Sequence, residues 1–424
     1  MDEEVLGKWN PWWVYGKVPE SQLGKPRPEL AGEIGRLIDA KEVIAVSGVR
    51  RSGKSTLLYQ VVARLISEGV QPKNILYFNF DENIGTAGSN ALEEAYREFL
   101  RLNNPKGRAY VFFDEIQNVK GWERWMKATY DLKGAGIKFF ITGSNSALLS
   151  SDLATLLTGR LLQVRVFPLS FAEFLSFNGV QPAAPALQKD EIMHYLSKYL
   201  EWGGFPEVVL GADELVNRQR LKEYFDSILF RDIVASRKIR ETAKLVELAQ
   251  YALANVATAF SYSSIARAIG LNMNSVKEYL GFLEQAYLVF QVNYFSYSLK
   301  ETLGMQKPKK MYAVDCGMRN VIASRFSQDA GRLAENAVLV ELKRRGSEAY
   351  FWRGRREVDF VVREGRKLTA INVTYSDTIR EREVEGLREF AAKHKGAELV
   401  LITKGVEKKE SGIAFVPLWK WLLQ

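Results

Sequence analysis

The fold of this chain is decided by residues 43–56, whose sequence is VIAVSGVRRSGKST. The largely apolar residues at the start of this stretch predict a buried strand. Gly48 and Gly53 then bound a loop that leads directly into Lys54 and Ser55. Two glycines separated by four residues and followed by lysine and serine form the pattern of a phosphate-binding loop. The stretch therefore predicts a strand, an anion-binding loop and a helix.

Each residue type in this loop suits the binding of phosphate. Glycines allow positive φ angles, so several backbone N–H groups can point at one phosphate. The helix that begins near Lys54 directs its positive end at the same anion. We expect Lys54 to reach the β- and γ-phosphates and Ser55 to ligate Mg²⁺. The predicted nucleotide-binding residues are Gly48, Val49, Arg50, Arg51, Ser52, Gly53, Lys54, Ser55 and Thr56.

The alternative is a glycine-containing turn between a strand and a helix that binds nothing. Apolar residues at helical spacing after the loop favour the phosphate-binding interpretation, because they place a helix where the motif requires one. These residues are Leu57, Leu58, Val61, Val62 and Leu65.

Two later segments supply polar side chains at strand ends. Residues 109–115 read AYVFFDE, an apolar strand that ends in Asp114 and Glu115. We expect Asp114 to hold Mg²⁺ through water and Glu115 to polarise the attacking water, the alternative being acids that only solvate a strand end. Residues 136–146 predict a further strand whose end carries Ser144 and Asn145. A side chain there could sense the γ-phosphate or orient water, but turn residues are equally common at such ends.

Composition and order set the class of protein. The chain has 424 residues, a net charge of +9, one cysteine and two distant histidines. This length predicts two to four domains, and the charge favours a polyanionic partner. A single cysteine forms no internal disulfide and fits a reducing cytoplasm, and no apolar run reaches the roughly 18 residues of a membrane helix.

Alternating strands and helices predict an α/β fold with a parallel sheet that binds nucleotide at its carboxyl edge.

Several motifs occur in the order found in a known family. They are Gly48–Ser55, FFDE at 112–115, ITGSN at 141–145, LTGR at 157–160 and FPLSFAEF at 167–174. Together they resemble an archaeal-type AAA+ ATPase family related to initiator and signal-transducing NTPases. The resemblance implies ATP or ADP and Mg²⁺ as cofactors. It also implies a homo-oligomer in which a neighbour supplies an arginine.

Arg160 is the first candidate for that arginine and Arg165 is the second. The alternative is that Arg160 only caps the helix before it. The segment Tyr199–Glu207 resembles the helical lid of the same family, in which a turn holding Pro206 lies against the nucleotide base. From the residues alone, this segment is a helix stop followed by a turn.

The middle of the chain predicts a helix-turn-helix. Two short helices flank a Gly-containing turn near Gly270, and residues 287–297 would supply the wing strands of a winged helix. The residues expected to face DNA are Asn272, Asn274, Ser275 and Lys277. Glu278 and Glu284 oppose such binding, and further phosphate contacts are expected from Lys300, Lys307, Lys309 and Lys310. The alternatives are a protein-docking surface or a helical spacer.

The last hundred residues resemble the restriction-endonuclease-like fold. That resemblance implies one metal site built from a helix Glu, a strand Asp and a following Glu/Gln-x-Lys. Glu335 and Asp359 match, but the third element reads Asn372-Val373-Thr374. Asn372 is a neutral ligand and Thr374 supplies no cation, so we expect a vestigial site without cleavage. Lys343 is an option for a migrated lysine. Basic residues suited to phosphate follow nearby, at Lys343, Arg344, Arg345, Arg353, Arg355 and Arg356.

These observations predict five parts. They are a Trp-rich segment (1–28), an AAA+ P-loop core (29–175), a helical lid (176–236), a winged helix (237–310) and an endonuclease-like α/β domain (311–424). The predicted function is a cytoplasmic, Mg²⁺-dependent ATPase that couples ATP to DNA binding or remodelling, with Glu115, Lys54, Asn145 and Arg160 as catalytic residues. The alternatives are a signalling or scaffold switch with a protein partner, and an ATP-regulated metal-dependent nuclease.

Overall fold

The structure is a computed structural model, in which the chain forms two compact units, Met1–Val166 and Phe167–Gln424. It describes residues 3–81, 90–145, 159–181, 187–237, 239, 241–298, 302, 307–323, 329–376 and 378–424. Within these ranges no helix combines the length and hydrophobicity needed to cross a membrane. Lys300 and residues 146–158, which include the first two residues of the LTGR motif, lie outside the described residues.

The first unit is built on a five-stranded sheet in the order β2-β3-β4-β1-β5, with all neighbours parallel. The strands are β1 (Val43–Ser47), β2 (Ile75–Asn79), β3 (Ala109–Asp114), β4 (Ile137–Gly143) and β5 (Leu161–Arg165). The helices are α1 (Glu3–Trp9), α2 (Trp12–Tyr15), α3 (Glu20–Leu23), α4 (Pro28–Leu37), α5 (Lys54–Ser67), α6 (Asn90–Asn103) and α7 (Trp122–Lys133). The predicted parallel α/β sheet is confirmed.

The strands are apolar on both faces because helices cover both sides of the sheet. Successive residues along a strand point to opposite sides. On β3, Val111 and Phe113 enter one core and Phe112 enters the other. The rings of Phe112 and Phe140 stack across β3 and β4 with centroids 4.3 Å apart. Two cores therefore hold the strands in register and fix the edge at which they end.

The tryptophan-rich N-terminal segment covers β2, which is an edge strand. The side-chain amide of Asn10 pairs with the backbone of Tyr77, donating to its carbonyl at 2.9 Å and accepting from its N–H at 2.7 Å. The indole N–H groups of Trp12 and Trp13 both donate to the carbonyl of Ile75. The segment thus satisfies backbone groups that an edge strand would otherwise expose.

The second unit contains a three-stranded and a six-stranded sheet. The first has the order β6-β8-β7 and is antiparallel, and the second has the order β13-β14-β12-β11-β10-β9. The strands are β6 (Thr258–Phe260), β7 (Val289–Val292), β8 (Lys309–Ala313), β9 (Ala349–Arg353), β10 (Glu357–Glu364), β11 (Lys367–Thr374), β12 (Glu398–Thr403), β13 (Lys408–Glu410) and β14 (Ile413–Pro417).

The helices of this unit connect the sheets. They are α8 (Phe171–Phe177), α9 (Lys189–Trp202), α10 (Pro206–Val209), α11 (Glu214–Ser227), α12 (Ala235–Arg237), α13 (Thr242–Ala254), α14 (Tyr262–Ile269), α15 (Met273–Gln285), α16 (Cys316–Ala323), α17 (Ala330–Arg344), α18 (Glu381–Lys393) and α19 (Leu418–Leu422). A π-helix, Ile228–Val234, joins α11 to α12.

The prediction that residues 287–297 supply both wing strands is wrong. Only β7 lies in that segment, and its partner is β8, which begins at Lys309. After β7, the chain crosses to the six-stranded sheet, where Phe295 N–H donates to the carbonyl of Phe351 at 2.7 Å. The predicted boundary at residue 310 falls inside β8, so the second unit is described undivided. The five-part division stays a prediction.

Candidate nucleotide site

The phosphate-binding loop follows β1 and has the backbone shape that its glycines allow. Gly48 has φ 153° and Gly53 has φ 95°. A Cβ at Gly48 would lie 2.0 Å from the carbonyl oxygen of Val166, so only glycine fits. Arg27 is buried and donates to the carbonyl of Ser52 at 2.9 Å, which fastens the N-terminal segment to the loop.

Lys54 is the first residue of α5 and its side chain is buried. Its ammonium donates to the carbonyls of Gly48 and Val49 at 3.1 and 3.2 Å and lies 3.6 Å from Oε1 of Glu115. The ammonium therefore already lies over the loop, held by two weak acceptors and one carboxylate.

Asp114 ends β3 and is fully buried. Its Oδ2 accepts from Tyr77 Oη at 2.6 Å and Asn79 Nδ2 at 3.2 Å, and its Oδ1 accepts from Thr142 Oγ1. Ser55 also donates to this carboxylate. Burial, followed by the neighbouring charge of Glu115, raises the pKa of Asp114, and these donors oppose the rise.

Glu115 adopts φ 53°, a left-handed conformation that is uncommon for a non-glycine residue. Its backbone N–H donates to Thr142 Oγ1 at 2.9 Å, and its Oε2 accepts from Nε2 of Gln117. The same Gln117 amide lies 3.3 Å from Oγ of Ser144 at the end of β4. Gln117 thus links the expected water-activating carboxylate to the neighbouring strand end.

Four of these groups were not predicted from the sequence: Tyr77, Asn79, Gln117 and Thr142. Asn79 and Thr142 lie at the carboxyl ends of β2 and β4, where polar residues on a parallel sheet signal a site. Tyr77 lies within an apolar run and Gln117 in a short turn, and neither position carries a recognisable pattern. Asn145 is buried just beyond β4, at the same edge of the sheet.

The residues present fit Mg²⁺ and a nucleotide. The Ser55 hydroxyl already contacts Asp114, and hydroxyl and carboxylate oxygens are the ligands Mg²⁺ prefers. At this site, two buried polar atoms have no hydrogen-bond partner among the described residues: Oγ of Ser52 in the loop and Oε1 of Gln117 beside Glu115. Buried groups of this kind are costly unless a ligand or water satisfies them.

Arg160 and Arg165 lie at opposite ends of β5. Val43 pairs with Leu161 and Ser47 with Arg165, so Arg165 is at the edge that carries the loop and Arg160 is at the other edge. Arg160 pairs with Asp131 at 3.1 Å and lies over the ring of Tyr130. One strand length, roughly 15 Å, separates Arg160 from the loop of its own chain. A role for Arg160 in catalysis would have to be played on a neighbouring chain.

The predicted lid turn forms hydrogen bonds with residues in and just before α16. Asp315 accepts from the N–H of Gly204 at 2.7 Å, and Nδ2 of Asn320 donates to the carbonyls of Leu200 and Glu201. A Cβ at Gly203 would lie 2.1 Å from the Asp315 carboxylate. Pro206 begins α10 directly after this turn, and its contact with a nucleotide base stays a prediction.

The expected DNA-contact residues lie at the start of α15, with different roles. Asn272 caps the helix, accepting from Ser275 N–H at 2.8 Å and donating to its hydroxyl at 2.9 Å. Asn274 and Lys277 are exposed. They line a shallow groove of about 350 Å³ together with Glu278, Gly281, Phe282 and Gln285. The carboxylate of Glu284, which was expected to oppose such binding, accepts hydrogen bonds from the backbone and side chain of Gln291, and its effect on DNA binding stays a prediction.

Glu335 and Asp359 meet, as the resemblance implied, but the partner they share is Lys310. The Lys310 ammonium lies 2.9 Å from Glu335, 3.0 Å from Asp359 and 2.7 Å from Glu357. Lys310 is 1% exposed, so the prediction that it contacts phosphate is wrong. Lys307 is exposed and Lys309 is half-buried, and both remain candidates.

Asn372 does not face this cluster as a ligand. Its Oδ1 accepts from the N–H of Asp359 at 2.9 Å, and its Nδ2 donates to the carbonyl of Glu383 at 2.8 Å. The second oxygen of Asp359 accepts from Val373 N–H at 2.9 Å. The side chains of Asn372 and Asp359 thus connect β10, β11 and α18. In the described residues, no group of three His, Cys, Asp or Glu side chains has metal-binding geometry, and the ammonium of Lys310 lies between the three carboxylates of this cluster.

Three of the six basic residues expected to suit phosphate form ion pairs within the chain. Arg344 and Arg345 both pair with Glu341, and Arg344 lies over the ring of Phe167. Arg356 pairs with Glu385 at 2.8 Å. This arrangement weakens the expectation of a phosphate-binding surface in that region.

The geometry of the first unit, with a loop lysine, a serine–aspartate pair and an adjacent glutamate, is that of a P-loop nucleotide-binding domain. In agreement, a family model described as an AAA domain matches residues 40–175. Two further models, described as domains of unknown function (DUF8612 and DUF4143), match residues 193–329 and 330–421.

The whole chain has relatives over nearly its full length. It is 34% identical over 406 residues to the uncharacterized protein MJ1544 of Methanocaldococcus jannaschii, covering 90% of this chain and 88% of that one. An uncharacterized protein of Haemophilus influenzae is 31% identical, covering 91% and 95%. The chain belongs to the family of these proteins. Among solved structures, the Walker-type ATPase PABY2304 of Pyrococcus abyssi aligns with 15% identity and a TM-score of 0.48 over 72% of this chain and 97% of that chain.

Proposed function

We propose that this protein is a Mg²⁺-dependent ATPase of the AAA+ class that couples ATP binding and hydrolysis to the binding or remodelling of DNA. The observation that carries the ATPase assignment is the convergence of Lys54, Asp114 and Glu115 at one sheet edge, with Lys54 and Glu115 only 3.6 Å apart. A lysine for phosphate, an aspartate for the metal and a second carboxylate for water are the parts that ATP hydrolysis needs.

Each side chain has a defined task in this proposal. Lys54 exchanges its contacts with the Gly48 and Val49 carbonyls for phosphate oxygens, which also frees Glu115 from the ion pair. Ser55 and Asp114 would hold Mg²⁺, which when bound neutralises charge on the transferred phosphoryl group. Glu115, kept in orientation by Gln117, accepts a proton from the attacking water. Arg160 is assigned to the site of a neighbouring chain in a homo-oligomer.

DNA is proposed as the partner because of charge and the order of elements in the second unit. A net charge of +9 favours a polyanion. The order α13, β6, α14, α15, β7, β8, with β8 central, supports a winged helix whose second helix of the pair is α15. Asn274 and Lys277 are the exposed residues through which α15 would reach a groove.

The DNA proposal is tested by titrating the full chain with duplex, forked and junction DNA at several salt concentrations. Affinity is expected to fall with salt, and Lys277→Ala should reduce the slope of log affinity against log salt by about one. Lys395→Ala, which removes an exposed lysine elsewhere, is the control and should leave the slope unchanged. Absence of salt-dependent binding would favour the alternative, an ATP-dependent switch with a protein partner.

A further inference from the structure

We infer that the ammonium of Lys310 permanently takes the place that a divalent cation holds in the endonuclease-like fold. No divalent cation then binds at this place in the C-terminal module. This inference concerns the cluster of Lys310, Glu335, Glu357, Asp359 and Tyr312. It is independent of the ATPase assignment, since every residue of the cluster lies in the second unit.

The N–H donors of Lys310 match the surrounding carboxylates in number. An ammonium has three N–H donors, and three carboxylates lie within 3.0 Å of Lys310 Nζ. Distances of 2.7 to 3.0 Å suit charge-assisted hydrogen bonds, whereas Mg²⁺ and Ca²⁺ ligands lie at about 2.0–2.6 Å. The carboxylates therefore surround an ammonium at the spacing an ammonium requires.

The charges within the cluster also favour an ammonium at its centre. Burial opposes a charge on Lys310, but Glu335 and the other carboxylates outweigh it and hold the lysine pKa well above its ordinary value. Burial, and then the charge of Asp359, raises the pKa of Glu335 to about 7. The Tyr312 hydroxyl donates to Glu335 at 2.6 Å. The cluster thus sets one buried ammonium and one hydroxyl donor against three carboxylates.

Lys310 reaches the cluster from a different part of the second unit than the carboxylates do. Lys310 lies on β8, the central strand of the three-stranded sheet, while Glu335 lies on α17 and Glu357 and Asp359 lie on β10. A free metal ion would hold only the C-terminal elements together. Lys310 instead joins the three-stranded sheet to the six-stranded one, so the same contact that fills the site also connects two structural parts of the unit.

The inference is tested by titrating the nucleotide-free full chain with Mn²⁺ and following the free ion by electron paramagnetic resonance. The wild-type chain and Asp359→Asn are expected to behave alike. Lys310→Ala should gain a saturable Mn²⁺ site that the double variant Lys310→Ala/Asp359→Asn lacks. In EDTA, Lys310→Ala should melt roughly 10 °C below wild type, and Mn²⁺ should recover part of this loss.

A Mn²⁺ site in the wild-type chain that disappears in Asp359→Asn would overturn the inference. So would a folded Lys310→Ala that gains no site. If Lys310→Ala does not fold, the comparison of wild type with Asp359→Asn still decides, because equal Mn²⁺ titrations support the inference and unequal ones contradict it.

Discussion

At the scale of single residues, Gln117 controls how the Glu115 carboxylate is held. One amide group contacts Glu115 and Ser144, while its carbonyl oxygen has no partner among the described residues. Gln117 touches the carboxylate rather than the expected position of the nucleotide, so we regard it as a positioning residue. Its effect should therefore appear in turnover and not in nucleotide affinity.

Gln117→Ala is expected to lower kcat of ATP hydrolysis roughly 10- to 150-fold, because a hydrogen bond to a charged group contributes about 1.5–3 kcal/mol. The Kd for ATP should stay within about twofold, since Lys54 and the loop are unchanged. Gln117→Glu should not rescue activity, because it removes the N–H donor. Asn118→Ala, a change in the same turn, is the control. A parallel loss of ATP affinity in Gln117→Ala would show that the residue only supports the fold.

At the scale of secondary-structure elements, Asp315 holds the Gly203-Gly204 turn against α16. Its carboxylate accepts backbone N–H groups from Gly204 and Met318. Burial raises its pKa from 3.8 to about 6. A raised folded-state pKa adds stability that is fully present below the unfolded value and is lost as pH rises through the folded value.

The melting temperature of wild type relative to Asp315→Asn should therefore fall as pH rises from about 4 to about 7 and then stay level. A shift of about two pKa units corresponds to about 3 kcal/mol. Asp213→Asn, which changes the exposed N-cap of α11, is the control for an aspartate substitution at the surface. A constant difference between wild type and Asp315→Asn across this range would contradict the assignment.

The elements also show which parts of the site can be predicted from sequence. The loop, Asp114 and Glu115 follow from local spacing, because strand, turn and helix are adjacent in the chain. Lys310 and Asp359 meet across 49 positions, and no local pattern distinguishes a buried lysine on a central strand from an exposed one. The same limit explains why Tyr77 was missed, since its hydroxyl reaches Asp114 from a neighbouring strand 37 positions away.

At the scale of the whole molecule, the proposed role of Arg160 on a neighbouring chain predicts that a complete active site forms only on assembly. Arg160 lies at the sheet edge opposite the loop of its own chain. Arg160→Ala should lower kcat roughly 10³-fold if the arginine stabilises the transition state of a neighbour, and Lys54→Ala should bind no nucleotide.

Mixing these two inactive variants should restore ATP hydrolysis, because a Lys54→Ala chain can supply Arg160 to an intact loop on its neighbour. A mixture of Lys54→Ala with Glu115→Gln is the matched control and should stay inactive, since both residues act within one chain. Activity of Arg160→Ala alone, or no recovery on mixing, would remove Arg160 from the site.

In the proposed mechanism, Glu115 activates water for ATP hydrolysis on the loop that begins at Gly48. ATP binding and turnover of Glu115→Gln, measured side by side with wild type, test this role of Glu115. We predict an ATP Kd within about threefold of wild type and hydrolysis at least about 100-fold slower, the usual contribution of a general base. Turnover at the wild-type rate by Glu115→Gln would contradict this role.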